Sequence, residues 1–175
     1  TVVCGFIVPR YMLLAYGSEV NGLISSITYF LGMITLLEMG IGPVIQSNLY
    51  KPLAEKDSES ISKIVKSSNK FFRTISVIFL IYLMALCFFY PIIINSSFGK
   101  LYTVSLLLII SVSTIAQYFF GITYQLLLNA DQKAYVQQIL SIITIVLNTI
   151  LSIVIIKCGG SVHLVKLVSS VVFLI

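Results

Sequence analysis

Two charged side chains stand where hydrocarbon is expected. Glu38 lies near the midpoint of an apolar run from Ile24 to Leu49, and Arg10 follows Pro9 in the apolar run that opens the chain. A charge at mid-bilayer costs about 3 kcal/mol or more, so such residues face a polar cavity, a partner or a transported ion. The chemistry these two offer is electrostatic. A carboxylate takes up a proton or a cation, and a guanidinium holds a phosphate bidentately. The two could also pair with each other. Arg10 has a plainer reading too, in which its long stem carries the charge to the membrane surface. Gly40-Ile41-Gly42-Pro43 follows the acid directly. Pro43 has no N–H and crowds the carbonyl of Met39, which predicts a kinked helix beside Glu38, with Gly40, Gly42 and Pro43 in a gating or structural role.

Other chemistries are poorly supplied. His163 is the only histidine, and no grouping of His, Cys or carboxylate residues has metal-ligand spacing, so neither a metal nor a cofactor is expected. Cys4, Cys87 and Cys158 are odd in number and lie in or beside apolar stretches, which argues against a disulfide framework. The turns expected outside the membrane are short, whereas membrane-embedded enzymes of this kind carry catalytic residues in sizeable outer loops, so the chain is not expected to be an enzyme.

The elements that position these residues must be membrane helices. The chain is 58% hydrophobic and 10% charged, with a mean hydropathy of +1.06, outside the range of soluble domains. It opens inside one apolar run and stops inside another, which reads as a piece of a longer protein. The formal charge of +5 does not indicate nucleic acid, because six of the eleven basic residues are Lys51, Lys56, Lys63, Lys66, Lys70 and Arg73. Lys and Arg gather in short cytoplasmic loops, which places loop 51–68 in the cytoplasm.

At about 20 apolar residues per span, six spans are expected: 1–16, 24–50, 69–94, 101–128, 134–156 and 161–175. Turn chemistry separates them at Gly17-Ser18-Glu19 and Asn21-Gly22, Lys51-Pro52, Asn95 to Gly99, Asn129-Ala130-Asp131 and Gly159-Gly160. With 51–68 inside, 129–133 is also inside, and 17–23, 95–100 and 157–160 are outside. Between spans two and three, residues 57–73 read as an amphipathic helix lying on the inner membrane surface. Asp57 or Ser58 would cap it and Glu59 would sit in its first turn, with Ile61, Ile64, Val65 and Phe72 facing away from Lys63, Lys66, Lys70 and Arg73. Its basic face suits anionic lipid, or more sharply a phosphorylated substrate.

Polar residues inside the spans fall into stripes. The fifth span carries Gln137, Ser141, Thr144, Asn148 and Ser152; the second carries Thr28, Thr35, Glu38, Gly42 and Gln46; the fourth carries Gln117, Gly121 and Gln125. These stripes predict a polar interior lined by several helices. Hydrogen bonding between helices, worth about 0.6 kcal/mol per bond, is the competing explanation.

Several stretches together resemble a family. Pro9-Arg10-Tyr11, Gly17-Ser18-Glu19-Val20-Asn21-Gly22-Leu23, Leu37-Glu38-Met39-Gly40-Ile41-Gly42, Leu49-Tyr50-Lys51-Pro52-Leu53-Ala54 and Leu126 to Lys133 resemble, in order and spacing, the bacterial polysaccharide transporters. These are O-antigen and capsule flippases of the multidrug/oligosaccharidyl-lipid/polysaccharide exporter superfamily. The resemblance implies an all-α, polytopic helix bundle, with about six transmembrane helices forming most of the first lobe of a two-lobe transporter of twelve to fourteen spans. It implies flipping of undecaprenyl-diphosphate-linked oligosaccharide across the bacterial cytoplasmic membrane, with membrane lipids, H⁺ or Na⁺ and other polysaccharide assembly proteins as partners. Arg10 would touch the diphosphate, and Gln46, Gln117, Gln125, Gln137 and Asn148 complete the candidate substrate-binding set. Glu38 would line the cavity or couple to ions, and Asp131 would have a gating or structural role. A multidrug cation antiporter of the same superfamily is the alternative, and a membrane-embedded polymerase or acyltransferase a more distant one.

Overall fold

The chain is all-α. A computed structural model describes residues 2–93 and 99–173, with side-chain surroundings at 2–4, 37–38 and 91–93 outside the description. The expected outer loop 95–100 therefore falls largely outside the described residues. The helices run in the order α1 (Val2–Gly32), α2 (Thr35–Met39), α3 (Gly42–Glu55), α4 (Ser58–Ile93), α5 (Lys100–Ala116), a π-helical turn (Gln117–Gly121), α6 (Ile122–Ala130), α7 (Ala134–Lys157) and α8 (Val162–Val172). Three helical stretches are long and apolar enough to cross a membrane: Ser58–Tyr90, Lys100–Ala130 and Ala134–Lys157. The protein is thus a membrane protein by the length and apolarity of its helices.

The first two expected spans are divided differently from the sequence expectation. No seven-residue loop separates them at 17–23. Helical structure resumes directly after Gly17, whose φ of 85° and ψ of 172° carry a bend that a residue with a Cβ resists. Asn21-Gly22 lies inside helix because Val20, Leu23, Ile24, Ile27 and Leu31 are buried at helical spacing, and that burial overrides local turn preference. The expected second span, 24–50, is cut twice, at Met33-Ile34 and at Gly40-Ile41. Pro43 does more than kink a helix. It sits in the first turn of α3, where its missing N–H would have had no intrahelical partner, so the chain stops at Met39 and starts afresh at Gly42.

The inner turn also moves. Lys51-Pro52 is helical, with Pro52 inside α3, because Leu49 is buried and Leu53 half-buried on the face that continues beyond it. The reversal falls instead at Lys56-Asp57. Lys56 takes a left-handed conformation (φ 54°), and the Asp57 N–H reaches the Pro52 carbonyl at 2.9 Å. Asp57 then caps α4, accepting from the N–H groups of Glu59 at 3.1 Å and Ser60 at 3.2 Å. From there α4 runs unbroken for 36 residues. That length is about 54 Å at 1.5 Å per residue, against a hydrocarbon core of about 30 Å. The 57–73 segment is therefore not a separate helix lying flat, but the end of a spanning helix that outruns the bilayer. Its apolar face meets protein: Ile61 and Ile64 pack on the core and Phe72 is fully buried, while α3 lies against α4.

The remaining turns fall near their expected places. Gly159 has φ 74°, and a Cβ on Gly160 would collide with the Ile155 side chain. Gln132 supplies the positive φ between α6 and α7. The helices pack as two neighbourhoods joined through α4 and α5. In one, α3 contacts α4 and α6; in the other, α1 contacts α5 and α7, and α8 contacts α5 and α7.

Candidate functional site

The break between α2 and α3 creates the site. An open hollow of about 270 Å³ is lined by Thr35, Met39, Gly42, Pro43, Gln46 and Leu126. It exists because α6 approaches the break closely: a Cβ on Gly42 would lie 3.5 Å from Leu126 Cδ2. The Thr35 hydroxyl donates to the Gly32 carbonyl at 2.6 Å and so helps to satisfy the backbone where α1 ends. Gln46 is half-buried, and its amide makes no hydrogen bond with a described residue, which leaves its two donors and its acceptor for a ligand. The positive end of the α3 dipole opens at the same place.

Thr35, Gly42 and Gln46, expected on one polar sector, thus line one hollow with Pro43, while Gly40 is exposed in the break itself. Glu38 lies in α2 beside them in sequence, and its side chain is outside the described residues. The other candidates are dispersed. Arg10 is exposed on α1, forms no ion pair among the described residues, and belongs to a helix that packs chiefly on α5 and α7. Gln117 is exposed on the π-helical turn, and Gln125 is half-buried on α6. On α7, Gln137 is half-buried, Ser141 exposed, and Asn148 half-buried, where its Oδ1 accepts from buried Ser152 at 3.4 Å. Interhelical approach and intrahelical bonding thus account for the outer part of that stripe, while Ser141 leaves the inner part open.

Asp131 closes a turn. It pairs with Lys133 at 2.6 Å, and this hydrogen-bonded carboxylate holds the lysine ammonium above its ordinary pKa. Asp57 is shifted in the opposite sense. The Ser60 hydroxyl at 2.5 Å, followed by the Ser60 and Glu59 N–H groups, holds its carboxyl below the usual range.

A second polar group lies where α1, α5 and α8 meet, and the sequence expectations pass over it. The Tyr16 hydroxyl donates to the Gly160 carbonyl. His163 Nε2 lies 2.7 Å from Ser105 Oγ, and its ring stands edge-on to Tyr102 with centroids 4.5 Å apart. Ser105 already donates its single proton to the Tyr102 carbonyl at 2.9 Å. His163 is therefore the donor at Nε2, which leaves Nδ1 facing elsewhere. One turn further along α8 is Lys166, whose signal was a lone cation in an apolar run.

Comparison of the chain with protein families, with curated proteins and with solved structures gives no match.

Proposed function

We propose that this chain is part of a multi-pass transporter of the bacterial cytoplasmic membrane that flips diphosphate-linked oligosaccharides on a polyprenyl carrier. The observation that carries the reading is the hollow at the α2–α3 break, whose lining includes Thr35, Gln46 and Met39, the residue that directly follows Glu38 in the sequence. Broken helices at a polar site are the usual device of secondary transporters, because exposed backbone is tolerated in a membrane only where it lines a cavity. A substrate with a hydrated head and a lipid tail needs only a polar path open to the side, and no bond is made or broken. Arg10 supplies a cation suited to diphosphate, and Glu38 a group able to couple H⁺ or Na⁺. The α3–α4 hairpin, with Lys63, Lys66, Lys70 and Arg73 exposed, faces the cytoplasm in this reading.

The test is genetic. Cells that depend on this protein and carry Arg10→Ala or Gln46→Leu are expected to lose surface polysaccharide and to accumulate its lipid-linked precursor. Normal polysaccharide in both variants would remove these residues from the path. Efflux of organic cations without a polysaccharide phenotype would favour the antiporter reading, to which a cationic Arg10 is poorly suited.

A further inference from the structure

The π-helical turn between α5 and α6 holds one residue more than an α-helix needs. The Ile122 N–H bonds the Gln117 carbonyl, five residues back instead of four. Each residue of α6 therefore sits one position behind its place in an uninterrupted helix. In this register α6 buries Ile122, Leu126 and Ala130, at a spacing of four. One residue earlier, at the same spacing, Gly121 is exposed and Gln125 and Asn129 are half-buried. The segment thus carries two parallel faces offset by a single residue, one apolar and the other small and polar.

That offset is the one the π turn stores. Closing the turn to α-helix would advance α6 by about 1.5 Å and rotate it by about 100°. Gly121, Gln125 and Asn129 would then take the places that Ile122, Leu126 and Ala130 hold now. Ile122 would move to the place of buried Thr123, so one large apolar side chain would stay covered. The decisive place is that of Leu126, which lines the hollow at the α2–α3 break, 3.5 Å from where a Cβ on Gly42 would lie. A one-residue advance puts the Gln125 amide there, in the lining that holds Thr35 and Gln46.

We propose that the π turn is a register switch, which lines the hollow with Leu126 in one state and with Gln125 in the other. Without an occupant Leu126 is favoured, because an amide turned into a helix contact without partners is costly. A polar occupant that hydrogen-bonds Gln125 binds the second register better and shifts the balance toward it. The switch concerns the lining of the hollow, and it stands whether or not the chain is a flippase.

Disulfide trapping in membranes reads the two registers separately. With Cys4, Cys87 and Cys158 replaced by Ser, Gln46→Cys is combined either with Leu126→Cys or with Gln125→Cys. The first pair is expected to cross-link rapidly. The second is expected to cross-link about ten- to a thousandfold more slowly, as for a minor state populated at about 0.1–10%. Deleting Phe120, which is exposed, removes the extra residue while leaving Leu126 in its present place. In that variant the first cross-link is expected to persist and the second to be lost. No second cross-link in the intact chain would by itself overturn the proposal. So would a second cross-link that forms as fast in the deletion variant as in the intact chain.

Discussion

At the scale of the residue, most polar groups in this protein act on their own helix. Ser68, Ser76, Thr149 and Ser169 each donate to the carbonyl four residues back, and such bonds satisfy hydroxyls without demanding a partner helix. Gln46 differs from them in having no such internal partner, although it lines the hollow at the α2–α3 break. Two expected outcomes follow at this scale. Gly160→Ala drives a methyl group into Ile155 at the α7–α8 turn and should destabilise the fold by about 1–3 kcal/mol, seen as a lower thermal midpoint in detergent. Asp57 has a depressed pKa when folded, so the stability its cap contributes is present above the unfolded carboxylate value and is lost as pH falls through the lower folded value. Amide exchange in the first turn of α4 should therefore speed up in acid in the wild type and be fast at all pH values in Asp57→Ala.

At the scale of the element, the helices from residue 100 onward were legible and those before it were less so, for a physical reason. In α7 and in the stretch from Lys100 to Ala130, apolar length and turn residues agree, and the boundaries lie within two residues of the expected 134–156 and 101–128. From Gly17 to Lys56 they conflict. Asn21-Gly22 and Lys51-Pro52 have strong local turn chemistry, yet the buried stripe through Leu23 and Ile27 and the packing of Leu49 hold both in helix. Local propensity is a weak prior there, and tertiary burial outweighs it. The π-helical turn at Gln117–Gly121 left no mark in the apolar pattern, because one added residue still keeps the stretch apolar. Of the candidate site, the shared sector of Thr35, Gly42 and Gln46 was readable from helical spacing. That Arg10 does not line it was not, since which helices neighbour one another is a property of the whole bundle. The unbroken α4 is directly measurable. Spin labels at positions 60 and 85, separated by about 37 Å of straight helix at 1.5 Å per residue, should give a single narrow distance near that value. A clearly shorter distance would show the bent, surface-lying arrangement.

At the scale of the whole molecule, α7 shows how the bundle meets its surroundings. Ile139, Ile143, Leu147, Ile150 and Val154 are all exposed, and only Thr149 and Ser152 of this helix are buried. Hydrocarbon can cover such a helix at no cost, and Ser141 and Gln137 break the apolar surface on one side. The α3–α4 hairpin shows the other boundary, where the exposed faces of Lys63, Lys66, Lys70 and Arg73 leave the apolar region. Replacing Lys66, Lys70 and Arg73 together with Gln should weaken association of the hairpin with anionic lipid by roughly 1 kcal/mol per residue removed, measured as quenching of a hairpin label by headgroup quenchers, while the helical content stays unchanged. The central claim is that the break at Gly40–Pro43 opens a path for a charged, lipid-linked head. It is tested most directly in sealed vesicles carrying the full protein, by following how much diphosphate-linked oligosaccharide becomes accessible to a membrane-impermeant glycosidase on the far side. Transfer is expected to be at least tenfold slower with Gln46→Leu than with the wild type, for loss of one hydrogen bond to a charged group. Equal transfer rates in the two proteins, or no transfer by the wild type, would contradict the account.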